Sequence, residues 1–461
     1  MTLDDGFAVG TSGHLLYEGI DVAELAEQVP TPFYLYSGRR IRANVEAIRG
    51  AFSARHAASE IFFASKACSN LWFLRQVYDA GANVEVNSGG ELAKALCAGF
   101  APDQIVFNGV AKTEAEIAAA IEAGIRSLII DSLFEIERAA SVAAALARRV
   151  AVALRVDVDV PTHTHPGLAT THGGKAGIDL DDAVPAFARA AATGWLEVRG
   201  LHVHIGSQIT SVEPYVSALE RSLELMQRLE GESGLRLEEL NLGGGLAVPY
   251  RQEPACAADD YFCCTLTPDD YAAAICAVLE RRRSDLKLLM EPGRAIAGTT
   301  AILVTRVEGE KTKAVRDESG RRTAEERWLV IDAGANTLLE HTNYDWYFRT
   351  VVANRADRAA ATPFRLAGPL CDGGDVFAGD DGSAFRRFPA ETTAGDVIAF
   401  RDCGAYTLEM MHPYNARPCA AAYAVVDGQV VQIRRADSFD DLVAHDIAEG
   451  APLAERGTLP K

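Results

Sequence analysis

Between residues 60 and 295, apolar runs of strand length recur eight times, separated by segments with helical patterning. The runs are IFFAS (61–65), NVEVNS (83–88), QIVFNG (104–109), SLIIDS (127–132), VAVALRVDV (150–158), LEVRGLHVHIGS (196–207), LEELNLGGG (237–245) and LKLLMEPGR (286–294). Short continuous apolar runs suit strands buried on both faces. Alanine-rich stretches such as GELAKALCAGF and TEAEIAAAIEAG, apolar at three- and four-residue spacing, suit helices. Eight β/α units is the number that closes a parallel barrel. After residue 296 the texture changes to strands with glycine and aspartate at their turns: AILVTRVEG, RWLVIDAG, FRLAGPL, GDVIAFRDCG and AAAYAVVDGQVVQIRR. The expected fold is therefore α/β plus all-β. A (β/α)8 TIM-type barrel spans 36–295, a mostly antiparallel β-domain spans 296–461, and a segment over 1–35 joins that β-domain. HLLYEGI (14–20) is expected to add a strand to it, and the charged stretch 308–327 to form a solvated hairpin or loop.

The ends of the eight runs carry Lys66, Asn87, Asn108, Asp131, Arg155, His204, Gly243-Gly244-Gly245 and Glu291. In a parallel barrel all these ends meet on one rim, where active sites lie. Each residue has an ordinary explanation. Asn87, Asn108 and Asp131 could cap helices, Lys66 could reach water along its stem, and His204 could be a satisfied core histidine. A lysine, a histidine, a glutamate and a glycine triplet on one rim are harder to explain separately, and together they indicate a site.

Composition narrows the classes. With 48% hydrophobic and 24% charged residues, the 461-residue chain can bury a large core. A net charge of −19 argues against nucleic acid as a partner. No apolar run approaches the roughly 18 residues of a membrane span, and MTLDDGFAVG has no signal-peptide pattern. Nine cysteines, an odd count without paired spacing, suit a reducing cytoplasm, and adjacent Cys263 and Cys264 make a poor structural staple. No metal-ligand pattern is present.

The rim residues suggest a chemistry. The glycine triplet lets backbone N–H groups approach an anion, and Arg294 adds a fixed cation, which suits a phosphate. Glu291, three residues before Arg294, could hold a protonated ring nitrogen, and His204 could stack on a flat ring. Lys66 could carry an aldehyde as a covalent adduct. Aldehyde, ring nitrogen and phosphate together describe pyridoxal 5′-phosphate.

Six motifs in order, FFASKA, GLHVHIGSQ, LNLGGG, EPGR, GPLCDGGDVF and GAY, resemble the barrel-fold pyridoxal-phosphate decarboxylases of the ornithine and diaminopimelate decarboxylase group. That resemblance implies roles. Lys66 would carry the cofactor and help move protons, and His204 would stack on its ring. Glu291 would keep the ring nitrogen protonated. Ser207, Gly244, Gly245, Arg294 and Tyr406 would hold the phosphate, with Glu85 and Arg155 in the surrounding polar network. Cys371 would return a proton to the α-carbon from the partner subunit, which implies an obligate homodimer. A carboxylate at Glu291 disfavours racemisation, the reaction of alanine racemases, which place arginine there. A catalytically inactive regulatory homologue is the alternative from another class; retention of Lys66 and Cys371 argues against it.

For the substrate, the resemblance places Arg294, Glu340, Tyr344, Asp372 and Tyr406 around an amino acid. Diaminopimelate decarboxylases carry an arginine where DAGANTLLEH has Glu340, and Glu-Ser where CDGGD has Asp372-Gly373. A glutamate suits a distal ammonium and repels a carboxylate, unless it simply turns out to solvent. The expectation is thus decarboxylation of a basic amino acid, D-lysine or D-ornithine, to a diamine, as in the D-ornithine/D-lysine decarboxylase branch. Diaminopimelate decarboxylase is the alternative.

Overall fold

The computed structural model describes residues 6–171, 173–251, 260–379 and 381–447. Eight parallel strands form the barrel: β2 (Ser59–Ala64), β3 (Asn83–Val86), β4 (Ile105–Phe107), β5 (Ser127–Ile130), β6 (Val150–Asp157), β7 (Leu196–His202), β8 (Glu239–Asn241) and β9 (Lys287–Met290). Neighbours in sequence pair in register around the ring, and β9 closes it against β2 through Leu288–Ser59 and Met290–Ile61. Every residue of β5 and β6 is buried, as runs without alternation require.

The helices start where short polar side chains stop the strands. Ser88, Thr113 and Ser132 each accept the backbone N–H three residues on, and Gly99 and Gly124 end two helices in left-handed conformation. The capping that Asn87, Asn108 and Asp131 could have supplied thus falls to other residues. Asn87 and Asn108 turn towards Glu85 and His202, and Asp131 accepts from the Gly177 N–H.

The second domain is a mixed sheet built mainly of antiparallel pairs. β10 (Ala301–Arg316) and β11 (Arg322–Ile331) form a long hairpin whose outer half carries the exposed charged stretch. β10 also pairs with β12 (Val397–Phe400) and with β1 (Phe33–Ser37). β1 runs parallel to β13 (Ala421–Val426) on its other edge. All five residues of β1 are buried, and its alternation divides two cores. Tyr34 and Tyr36 join the main core shared with the barrel. Phe33 and Leu35 face a second core with Phe7, Leu15 and Tyr17. Residues 14–20 do not extend the large sheet: Leu15–Tyr17 belongs to a separate three-stranded sheet that supplies this second core.

Among the described residues, no helix is long and apolar enough to cross a membrane, and no cluster of His, Cys, Asp or Glu could hold a metal ion. Cys263 is disulfide-bonded, against the expectation of unpaired thiols, whereas Cys68, Cys97, Cys264, Cys276, Cys371, Cys403 and Cys419 are free.

Candidate active site

Lys66 sits in one turn of 3-10 helix, Ser65–Ala67, where β2 leaves the barrel. The turn is pinned from two sides: the Ser65 hydroxyl donates to Glu91 (2.7 Å), and Tyr406 N–H donates to the Ala67 carbonyl (2.8 Å). Tyr406 adopts left-handed backbone (φ 55°), an uncommon conformation for a bulky residue and one often found where a site is held. A cavity of about 540 Å³ opens on the rim, lined by Lys66, Asn87, Arg155, Thr170, Lys175 and His204 among others.

Two buried carboxyls, Glu85 and Glu291, act on Lys66, and their surroundings drive them apart. Burial, then the charge of Glu291, pushes Glu85 up to about 8, with Lys66 pulling it back. Glu85 Oε2 accepts from Asn87 Nδ2 (3.0 Å), and Oε1 has no hydrogen-bond partner among the described residues. Glu291 goes the other way. Burial would raise it, but His202 and Asn241 hold it below the usual carboxylate range. Asn241 Nδ2 lies 2.6 Å from Oε1 and His202 Nε2 lies 3.2 Å from Oε2. Separated carboxyls of this kind mark a site with acid and base roles. Burial would also lower Lys66, yet Glu85, Tyr406 and Glu291 outweigh it and the ammonium is favoured. His204 is held neutral by burial and by neighbouring Lys66 and Arg155, and its Nδ1 accepts from Gly244 N–H (3.2 Å).

The glycine triplet is built for close approach. A Cβ on Gly243 would lie 2.6 Å from His204 Nδ1, and one on Gly244 would lie 2.2 Å from the Glu291 carbonyl. Gly243 and Gly245 have φ of 66° and 104°, which side-chain-bearing residues rarely adopt. An amine, an ionised buried carboxylate, a neutral imidazole and a glycine cradle on one rim fit pyridoxal phosphate. The unsatisfied Glu85 oxygen and the cavity leave room for it.

Arg294 is committed elsewhere. Its Nη2 and Nη1 lie 2.8 and 3.2 Å from the two oxygens of Glu340, Nη1 also donates to Tyr250 (3.1 Å), and Nε reaches Ser207 Oγ (3.3 Å). The guanidinium lies over the rings of Trp346 (4.2 Å) and Tyr406 (4.7 Å). Both partners are buried, so Glu340 is neither solvent-facing nor free to meet a ligand ammonium alone. Tyr344 packs against His165, with ring centroids 5.4 Å apart. Cys371 and Asp372 are exposed on a loop and do not line the cavity of this chain. The Cys371 backbone N–H donates to Asn415 Oδ1 (2.8 Å), and the Asp372 carboxylate accepts from Gly374 N–H (2.9 Å).

Comparison with known proteins decides the family. The description "Pyridoxal-dependent decarboxylase, pyridoxal binding domain" matches residues 39–298, more than half of the chain. The chain belongs to the pyridoxal-dependent decarboxylases. It is 37% identical over 432 residues to the diaminopimelate decarboxylase of Pseudomonas aeruginosa, covering 93% of this chain and 96% of that one. It is 34% identical over 438 residues to the diaminopimelate decarboxylase of Archaeoglobus fulgidus, covering 94% and 97%. The structure of diaminopimelate decarboxylase from M. jannaschii in complex with L-lysine superposes with a TM-score of 0.85 at 30% identity, covering 97% of this chain and 99% of that chain. This pyridoxal-phosphate-dependent amino-acid decarboxylase thus has diaminopimelate decarboxylases as relatives, and the expected D-ornithine/D-lysine branch is not what they favour.

Four side chains of the site were not singled out from sequence: His202, Asn241, Tyr250 and Trp346. For the first two a signal exists. His202 lies two residues before His204 and Asn241 two before Gly243, so in strands they share a face.

Proposed function

We propose that this decarboxylase acts on meso-diaminopimelate, releasing CO2 and L-lysine. One observation in the site carries the reading: Arg294 and Glu340 form a buried couple of opposite charges against Ser207 and Tyr406. A zwitterionic amino-acid head presents the matching couple, a carboxylate for the guanidinium and an ammonium for the glutamate. Meso-diaminopimelate has such a head at each end, whereas lysine and ornithine end in a lone ammonium. The repulsion expected between Glu340 and a second substrate carboxylate assumed an unpaired glutamate, and a guanidinium at 2.8 Å offsets it. The names of the relatives support the same substrate.

Pyridoxal phosphate, when bound, supplies an electron sink for the pair left by departing CO2. Lys66 would hold it covalently, with Ser207, Gly244, Gly245, Tyr406 and Arg294 around its phosphate and Arg155 and Glu85 in the polar wall. Glu291, ionised, would keep a proton on the ring nitrogen, and neutral His204 would stack on the ring. Cys371, exposed here, would complete the site of a partner subunit in a homodimer and return the proton, with Asp372 and Tyr344 near the substrate. Retention of Lys66, Glu291 and Cys371 speaks against an inactive regulator. A cytoplasmic setting follows from the free thiols, exposed at Cys97 and Cys371, with the disulfide at Cys263 weighing the other way.

A second reading, D-lysine or D-ornithine to a diamine, rests on Glu340 standing where diaminopimelate decarboxylases carry arginine. Measuring CO2 release separates the two. We expect kcat/KM for meso-diaminopimelate to exceed that for either enantiomer of lysine or ornithine by about tenfold or more, the worth of one charge-assisted hydrogen bond. A higher value for D-lysine or D-ornithine overturns the first reading and establishes the second.

A further inference from the structure

Glu291 is ionised in a buried place without a lysine or arginine bonded to it, and its two oxygens meet the side chains of Asn241 and His202. Asn241 can only donate through its amide nitrogen. His202 has a choice of tautomer, and the geometry makes it. A bare Nε2 would aim its lone pair at a carboxylate oxygen 3.2 Å away, so Nε2 must carry the hydrogen. In the neutral ring Nδ1 then has to accept, yet it is buried and has no partner among the described residues. The ring is fully buried, with Asn108 Nδ2 a distant 3.4 Å from Nε2. An imidazolium would gain from Glu291 but would be opposed by burial and by Arg155 and Lys66. The neighbouring His204 and Asp131 complete the titratable groups that sense this ring. A neutral histidine that leaves one buried ring nitrogen unsatisfied costs stability, and the contact its other nitrogen makes with Glu291 gives a reason for it.

We propose that His202 is a positioning residue whose Nε2–H keeps Glu291 ionised and aimed, and so keeps the proton on the cofactor's ring nitrogen. This rests on the assignment of Glu291 to that nitrogen. Asn241 serves the same carboxylate from the other side, while its side-chain oxygen Oδ1 accepts from Gly243 N–H (2.9 Å) and ties the cradle to the pair.

The test is the 15N resonance of ring-labelled pyridoxal phosphate in the holoenzyme. In the unmodified protein it should report a protonated ring nitrogen from pH 6 to pH 9. His202→Met, which fills the space without a donor, should move it towards the unprotonated position at the alkaline end and lower kcat roughly tenfold or more with KM little changed. His202→Gln, which keeps an N–H, should restore the protonated signal. An unchanged resonance in the folded His202→Met enzyme overturns the proposal. Should the Met variant not fold, ring-15N histidine spectra of unmodified holoenzyme decide, with the His202 signal identified by its loss in His202→Gln. A neutral Nε2–H form throughout supports the proposal, and an imidazolium or an Nδ1–H form overturns it. Glu291→Gln separates the two levels. If it leaves the ring-nitrogen signal unchanged, the Glu291 assignment fails; if it shifts the signal and His202→Met does not, only the role of His202 fails.

Discussion

Two residues separate Glu291 from Arg294, and both are buried charges on the same motif, yet they are satisfied in opposite ways. Glu291 rests on an amide and an imidazole, neutral donors that take one position on each oxygen and leave the others open. Arg294 is closed off by a counter-charge, two aromatic faces and a tyrosine hydroxyl. A charge held by neutral partners stays available to a ligand. A charge held by its opposite is taken up by the structure, here by Glu340, Tyr250 and Ser207.

The same conservative change should therefore give opposite phenotypes at the two glutamates. Glu340→Gln leaves the Arg294 guanidinium buried without a counter-charge, and removing one partner of a buried pair costs about 3–5 kcal/mol. A clear fall in thermal midpoint of the apoprotein is expected, and a variant as stable as the parent would mean that the couple is not closed in solution. Glu291→Gln should hold its stability far better, because Asn241 can still donate to the amide oxygen. It should retain cofactor absorbance and lose roughly 10²–10³-fold in kcat. Near-normal turnover would remove Glu291 from the chemistry.

Much of the barrel was legible because runs such as VAVAL (150–154) are apolar without alternation, as strands buried on both faces are. The rim followed from strand ends. The Arg294–Glu340 couple was not legible, because its members come from the barrel and the β-domain and no local pattern records their meeting. Glu340 in isolation reads as an empty seat for an ammonium, and its partner changes that meaning. His202 and Asn241 were passed over for a different reason: polar residues inside short strands look like tolerated exceptions until the opposite wall of the barrel is known. Residues 14–20 carry strand character, but nothing in them says which sheet will take them.

A pH-dependent effect concerns Glu85, the other buried carboxyl near Lys66. Burial and Glu291 raise its folded value to about 8, above the ordinary range near 4.5. A raised carboxyl binds its proton more tightly in the folded state. Its favourable contribution is therefore complete below the ordinary value and lost as pH climbs through about 8. Glu85→Gln removes this titration. Its apoprotein stability relative to the parent should rise between about pH 5 and pH 8, by at most about 1.4 kcal/mol per pH unit. Parallel melting curves for the two proteins across that range would show that Glu85 does not keep its proton.

The strand β1 has a consequence for synthesis. Its five residues leave the ribosome early, but their neighbours in the sheet are Ala301–Val304 and Ala421–Val425. The entire barrel must be translated before Phe33, Tyr34, Leu35 and Tyr36 have anywhere to go. An apolar segment waiting that long is a ready target for wrong pairing. The barrel can close while the β-domain is still unfinished, but the β-domain cannot be completed without the chain's own beginning. Dissecting the protein at residue 296 would accordingly strand β1 on the wrong fragment, and joining it to the C-terminal fragment by circular permutation is the cut the fold invites.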